Sequence, residues 1–122
     1  MAKKVLFFDV DGTLVDSYNG IPDIPEGVKN ELKRIQGLGH KIFVCSGRPK
    51  AMMDDRFDDF DGYVLANGGY VEIDGKSIFE NRMDYKLSKE VVDVLKSIDS
   101  AYMLETATEI YCDYASQELY DY

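Results

Sequence analysis

Histidine occurs once and cysteine twice in these 122 residues. A histidine-based zinc site and a Ser-His-Asp triad are both disfavoured on that count. Cys45 and Cys112 lie in apolar surroundings without metal-ligand spacing, so they read as reduced thiols packed like small hydrophobes. His40, between Gly39 and Lys41 at a helix-to-strand turn, is assigned a surface role. Long apolar runs are missing as well: none approaches the roughly 18 residues that a membrane-spanning helix requires. The opening "MAKKVLFFDVDG" is basic, but acid interrupts its apolar stretch too early for a secretory signal, and cytoplasmic placement is the expectation. Basic charge is scarce: 14 Lys and Arg against 23 Asp and Glu leave a net charge of −9. Such a chain repels nucleic-acid phosphates, so neither nucleic acid nor membrane is expected as a partner. A small phosphorylated molecule remains admissible where a cation shields the encounter.

What is present suits a small folded domain, or part of a larger one: 45% hydrophobic and 30% charged residues. "KKVLFFDV" (3–10) reads as a strand buried on both faces, followed by a Gly- and Pro-containing loop. Val28, Leu32, Ile35 and Leu38 then mark one face of a helix, with Pro25 near its first turn and Gly39 at its stop. A second buried strand runs from Lys41 to Cys45, and "KAMMDDRFDDF" reads as a weaker acidic helix. A third strand covers Tyr63 to Ala66. Strand, helix, strand, helix, strand predicts a parallel sheet with crossover helices. Alternation around Asp74-Gly75 predicts a hairpin. "LSKEVVDVLKSI" predicts a further helix capped by Ser88, with Val91, Val92, Leu95 and Ile98 inward. "AYMLET" and "EIYCDY" predict two strands around a turn, whereas "ASQELYDY" has no clear reading. The change of texture near Asn81 to Lys86 predicts a boundary between a core and a second module.

The three strand ends carry the chemistry: Asp9 with Asp11, Ser46 with Gly47 and Arg48, and Asn67 with Gly68. Ligands of open parallel sheets gather beyond the carboxyl ends of the strands. On a continuous strand, residues two apart would share a face, about 6.5–7 Å apart. Two ionised carboxylates in such a place need a counter-ion. Mg²⁺ fits, since it takes one or two carboxylates together with phosphate and water. The bland alternative is a solvated acidic turn. Arg48 could equally be solvated, Thr13 could serve only to tie down the turn, and the acidic "MDDRFDDFD" stretch reads as exposed surface.

"DVDGTLVDS" resembles the first signature of the haloacid dehalogenase superfamily, and "VCSGRP" resembles its second. "GYVLANGG" with the "DGKSIFEN" hairpin is similar to the Cof-type branch, sugar-phosphate phosphatases with an α/β cap inserted after the third strand. The resemblance implies an α/β fold. Residues 1–82 would form the N-terminal part of a Rossmann-like core, three parallel strands and a hairpin, and residues 83–122 the start of the cap. It implies a Mg²⁺-dependent phosphatase with Asp9 as nucleophile and Asp11 as general acid and base, both of them at the metal. Asp11 would have its pKa raised by neighbouring negative charge. Gly12 (through its N–H), Ser46, Gly47, Arg48 and Asn67 would meet the phosphorylated substrate, a small metabolite such as a sugar phosphate.

The family's third signature is a lysine and its fourth an acidic pair, both following the cap in this branch. Lys86, Lys89 and Lys96 fall in cap-like sequence and are not assigned that role. The chain thus resembles the N-terminal portion of a phosphatase, with slow or no turnover expected from it alone. A homo-oligomer covering the open sheet edge beside the first strand is a further expectation. Two alternatives stand beside this reading: a noncatalytic phosphoacceptor of the receiver kind, and an interaction fragment without chemistry. A receiver places its acceptor acid after the third strand, where this chain has Ala66-Asn67.

Overall fold

The computed structural model describes residues 2–113. The "ASQELYDY" segment and the last part of the expected 83–122 module lie outside the described residues.

Five strands form one sheet in the order β1-β2-β3-β4-β5: β1 (Val5–Phe8), β2 (Lys41–Cys45), β3 (Gly62–Leu65), β4 (Tyr70–Ile73) and β5 (Lys76–Glu80). The first three are parallel, with Phe8 opposite Val44 and Val44 opposite Tyr63; β4 and β5 then run antiparallel. The sequence pattern of three parallel strands and a hairpin is therefore the observed one. Asp74 and Gly75 turn the hairpin, both with positive φ (49° and 77°), as a two-residue hairpin turn demands. Gly62 is required by a neighbour. Phe43 lies across it, and a Cβ there would come within 2.3 Å of the Phe43 ring.

Between β1 and β2, α1 (Glu26–Gly37) packs on the sheet. Of its expected apolar face, Leu32 is buried and Ile35 packs partly against the core, whereas Val28 and Leu38 are exposed. The helix meets the sheet through its middle, and its ends gain little cover. Gly39, at φ 84°, stops it in the left-handed region. Gln36 ties the helix to the loop before β3, donating to Asp59 O at 2.9 Å and Asp61 Oδ2 at 3.0 Å.

The second crossover is not a helix. Residues 50–60 form two short 3-10 turns, Lys50–Met52 and Asp55–Phe57. Asp54 stands between them, and its carboxylate accepts from Arg56 N at 3.1 Å. That local side-chain bond competes with a helical ladder. Nor is the stretch only surface, since Phe57 is fully buried and Phe60 nearly so.

Burial on both faces of β1 is also not observed. Val5 and Phe7 are 53% and 58% exposed, while Leu6 and Phe8 are half-buried. Alternate residues face opposite sides of a sheet, and the core lies on the Leu6–Phe8 side only. Cys45, of the same parity as Phe43 on β2, shares the open side, and it and Cys112 are free and exposed rather than packed as expected. His40 keeps its place in the turn, its Nδ1 accepting from Lys4 N at 3.2 Å.

Beyond the hairpin, α2 (Tyr85–Ser97) begins earlier than expected. Asp84 caps it, accepting from Leu87 N at 2.9 Å, while the Ser88 hydroxyl donates back to Asp84 O. Of its four expected inward residues, Val92 and Leu95 are half-buried, and Val91 and Ile98 exposed. Two further strands, β6 (Met103–Glu105) and β7 (Ile110–Cys112), pair antiparallel as the sequence predicts.

Candidate active site

The loop leaving β1 is anchored by its apolar members. Val10, Leu14 and Val15 are buried in the core, so the polar residues between and before them, Asp9, Asp11, Gly12 and Thr13, are left at the surface. Val10 O accepts from Thr13, Leu14 and Val15 N, and closes the turn. Parallel register brings the ends of β2 and β3 alongside. Ser46 follows Cys45 and is 7% exposed, its N–H donating to Val64 O at 2.9 Å. Ala66 N donates to Arg48 O at 2.9 Å and Asn67 N to Ser46 O at 3.4 Å, stitching the third strand end to the second. Ala66 and Asn67 are both left-handed, at φ 50° and 53°. Strained backbone of this kind persists where its surroundings over-determine it. The Asn67 side chain lies over Gly47, where a Cβ would be 3.1 Å from Asn67 Oδ1.

The two carboxylates are engaged separately. Asp9 lies just past the end of β1, and its Oδ1 accepts from Val10 N at 2.7 Å. Asp11 sits in the turn, not on an extended strand, and Arg48 grips it in bidentate fashion: Nε to Oδ2 at 2.9 Å and Nη2 to Oδ1 at 2.6 Å. The counter-charge for Asp11 is thus a guanidinium from the neighbouring strand end. These hydrogen bonds from Arg48 hold the Asp11 carboxyl below the usual carboxylate range, against the upward push of burial and with help from the Arg48 and Arg56 charges. The expected upward shift from neighbouring negative charge is therefore reversed. The same bond raises Arg48.

The Gly12 N–H, expected to face a phosphoryl group, donates to Val15 O at 2.8 Å, and the φ of 79° at Gly12 serves the turn. At the second strand end the donors are better placed. Ser46 Oγ accepts from Arg48 N at 3.1 Å, and neither its own O–H nor the Gly47 N–H is spent on any described residue. Ser46, Gly47, Arg48 and Asn67 come together beside Asp11, while Thr13 and Asp16 serve the loop, Asp16 accepting from Asn19 N and Nδ2.

Two groups escaped the sequence reading. Arg56 holds both oxygens of Asp54 and donates to Pro22 O, and its charge reaches Asp11 and Arg48. Lys50, two residues after Arg48, meets the buried Glu72 carboxylate at 3.2 Å; Glu72 also accepts from Tyr70 Oη at 2.7 Å. Lys50 Nζ lies 4.5 Å from the centre of the Tyr63 ring, whose buried hydroxyl is pushed up to about 12. Alternation in β4 offered a signal for Glu72, but nothing in the sequence pointed to its partner.

For a divalent cation, the donor set is of the right hard-oxygen type but small. Among the described residues Asp9 accepts one hydrogen bond, from Val10 N to Oδ1, which leaves lone pairs on both carboxylate oxygens, and the Asp11 backbone carbonyl accepts none of the turn's hydrogen bonds. Among the described residues no group of three or more His, Cys, Asp or Glu could hold a metal. Such a set fits an ion that keeps water and takes further oxygens from a phosphate, as Mg²⁺ does. Among the described residues, no helix is long and apolar enough to cross a membrane.

Residues 6–121 match a family described as haloacid dehalogenase-like hydrolases. YkrA of Bacillus subtilis (strain 168), a protein named as a phosphatase, is 31% identical over 88 residues, 70% of this chain and 31% of its own. BT1666 of Bacteroides thetaiotaomicron, from a study of phosphatases of the haloalkanoate superfamily, superposes at a TM-score of 0.80 with 22% identity over 99% of this chain and 45% of its own. The sugar phosphatase BT4131, of subclass IIB of that superfamily, does so at 0.77 with 24% identity, over 98% and 48%. At these identities the two structures establish a shared fold. The chain spans about a third of the length of the curated relative and under half that of the two solved structures.

Proposed function

The chain belongs to the haloacid dehalogenase-like hydrolases, and on that premise we propose that its strand-end site serves hydrolysis of a phosphomonoester through an aspartyl-phosphate. The observation that carries this reading is that parallel register sets the carboxyl ends of β1 and β2 side by side, with Arg48 after β2 bonded to Asp11 after β1. Asp9 Oδ2, the oxygen outside the bond to Val10, attacks phosphorus as the bond to the alcohol oxygen breaks. Asp11, freed from Arg48 and protonated, gives its proton to the departing alkoxide. Water then attacks phosphorus and passes a proton to Asp11, the Asp9–phosphorus bond breaks, and alcohol and inorganic phosphate result. The Ser46 hydroxyl and Gly47 N–H donate to the phosphoryl oxygens. Mg²⁺, held by the Asp9 carboxylate and the Asp11 carbonyl, would supply positive charge to those oxygens.

A small phosphorylated metabolite is the proposed substrate class, with a sugar phosphate suggested by the sugar phosphatase among the structural relatives. Residues 1–82 are proposed as the core portion and 83–122 as the beginning of a cap. The proposed setting is the cytoplasm, and a second copy is proposed to cover the free edge of β1. The test is a single turnover. Acetyl phosphate with Mg²⁺ should phosphorylate the wild-type chain and release phosphate, and Asp9→Asn should do neither. A stable label without release would favour the phosphoacceptor reading, and labelling of Asp9→Asn would remove Asp9 from its role.

A further inference from the structure

The guanidinium that grips Asp11 stands beside the donors proposed for phosphate. Its fork matches a carboxylate and a phosphate equally well. The Arg48 backbone is pinned, its N–H on Ser46 Oγ and its carbonyl on Ala66 N, so any change of partner is made by the side chain alone. Asp11 is the more solvated member of the pair, 63% exposed against 25% for Arg48. Water can therefore take over the carboxylate when the arginine leaves. The neighbouring cation, Arg56, is held on three sides by Asp54 and the Pro22 carbonyl.

We propose that Arg48 is an exchangeable latch, holding Asp11 before ligand arrives and passing its guanidinium to the phosphoryl oxygens when it does. Asp11 and the phosphoryl group thus compete for one arginine. The exchange frees the Asp11 side chain at the moment its proton chemistry is needed and costs the ligand part of its affinity. The proposal rests on the reading that a phosphoryl group enters this site, and it adds a positioning role for Arg48 on Asp11 to a binding role on the ligand.

The test is a double-mutant cycle on the affinity of inorganic phosphate, read from amide NMR shifts of Gly47 and Asn67 with EDTA present. Asp11→Asn should tighten phosphate about fivefold, the upper end for releasing an exposed but bidentate pair. In an Arg48→Gln background the same substitution should change affinity by less than about twofold. Arg48→Lys, which keeps the charge without the fork, should lie between. Equal tightening in both backgrounds would mean that Asp11 merely repels anions, and the latch would be discarded. So would no tightening, or no phosphate binding by any variant. Asp9 labelling by acetyl phosphate separates the two claims: it survives loss of the latch, whereas its absence would sink the phosphatase reading whatever the cycle shows.

Discussion

Arg48 reaches from the end of β2 to both carboxylate oxygens of Asp11 in the loop after β1, at 2.6 and 2.9 Å. Two acids two residues apart are thereby kept from acting as one uncompensated charge. Asp9 is engaged by its own chain and Asp11 by a guanidinium.

Arg48→Gln should raise the pKa of Asp11 toward the ordinary carboxylate value, since the Arg48 bond is the main cause of its lowering. Carboxyl ¹³C chemical shifts followed against pH read this directly. An Asp11 titration that stays where it was would place the cause elsewhere.

Asp61 accepts from Lys41 Nζ, Ile42 N and Gln36 Nε2 at 2.7, 3.0 and 3.0 Å, and so joins α1, β2 and the start of β3. Burial pushes its pKa up, but the bonds from Lys41, Ile42 N and Gln36, with the Lys41 charge, outweigh it and the net shift is downward. A carboxyl lowered on folding adds stability above its unfolded pKa and loses it as pH falls through the folded value. Asp61→Asn should cost about 1–2 kcal/mol at neutral pH, a gap that closes in acid below the model-compound value of 3.8. Urea unfolding at the two pH values tests this, and a pH-independent gap would contradict it.

Gly62→Ala sets a methyl group against Phe43 and the Glu72 carbonyl, at 2.3 and 2.6 Å. One of those contacts is backbone, so the strand must shift, at a cost of about 1–3 kcal/mol. An unchanged urea midpoint would show that β3 and β4 give way freely.

Lys50→Met removes the cation from a Glu72 carboxylate that is only 9% exposed, leaving Tyr70 as its one remaining side-chain partner. Breaking a buried pair from one side is costly. With Lys50 itself a third exposed, a loss of about 2 kcal/mol is expected, at the low end of that effect. Recovery in Lys50→Met/Glu72→Leu would show that the stranded charge, not lost packing, is responsible.

Much of this could be read from the chain. The parallel strands announce themselves as short apolar runs ended by glycine or acid, and Asp74-Gly75 announces the hairpin. That the ends of β1, β2 and β3 lie side by side follows from parallel register once the strands are known. What stayed hidden depends on which side chain wins a local contest. Asp54 takes the Arg56 N–H and breaks the expected acidic helix. Arg48 chooses Asp11 across 37 positions of sequence, and no spacing rule reaches that far. The exposure of Val5, Phe7 and Cys45 is a matter of what covers the sheet, which strand hydrophobicity does not encode.

The central claim is that Asp9 receives a phosphoryl group. Tandem mass spectrometry of the chain after brief exposure to acetyl phosphate and Mg²⁺, quenched in acid, locates any label. The account predicts phosphate on Asp9 that is lost on longer incubation and absent from Asp9→Asn. Phosphate on Asp11 or Ser46 instead, or an unlabelled chain, would contradict it.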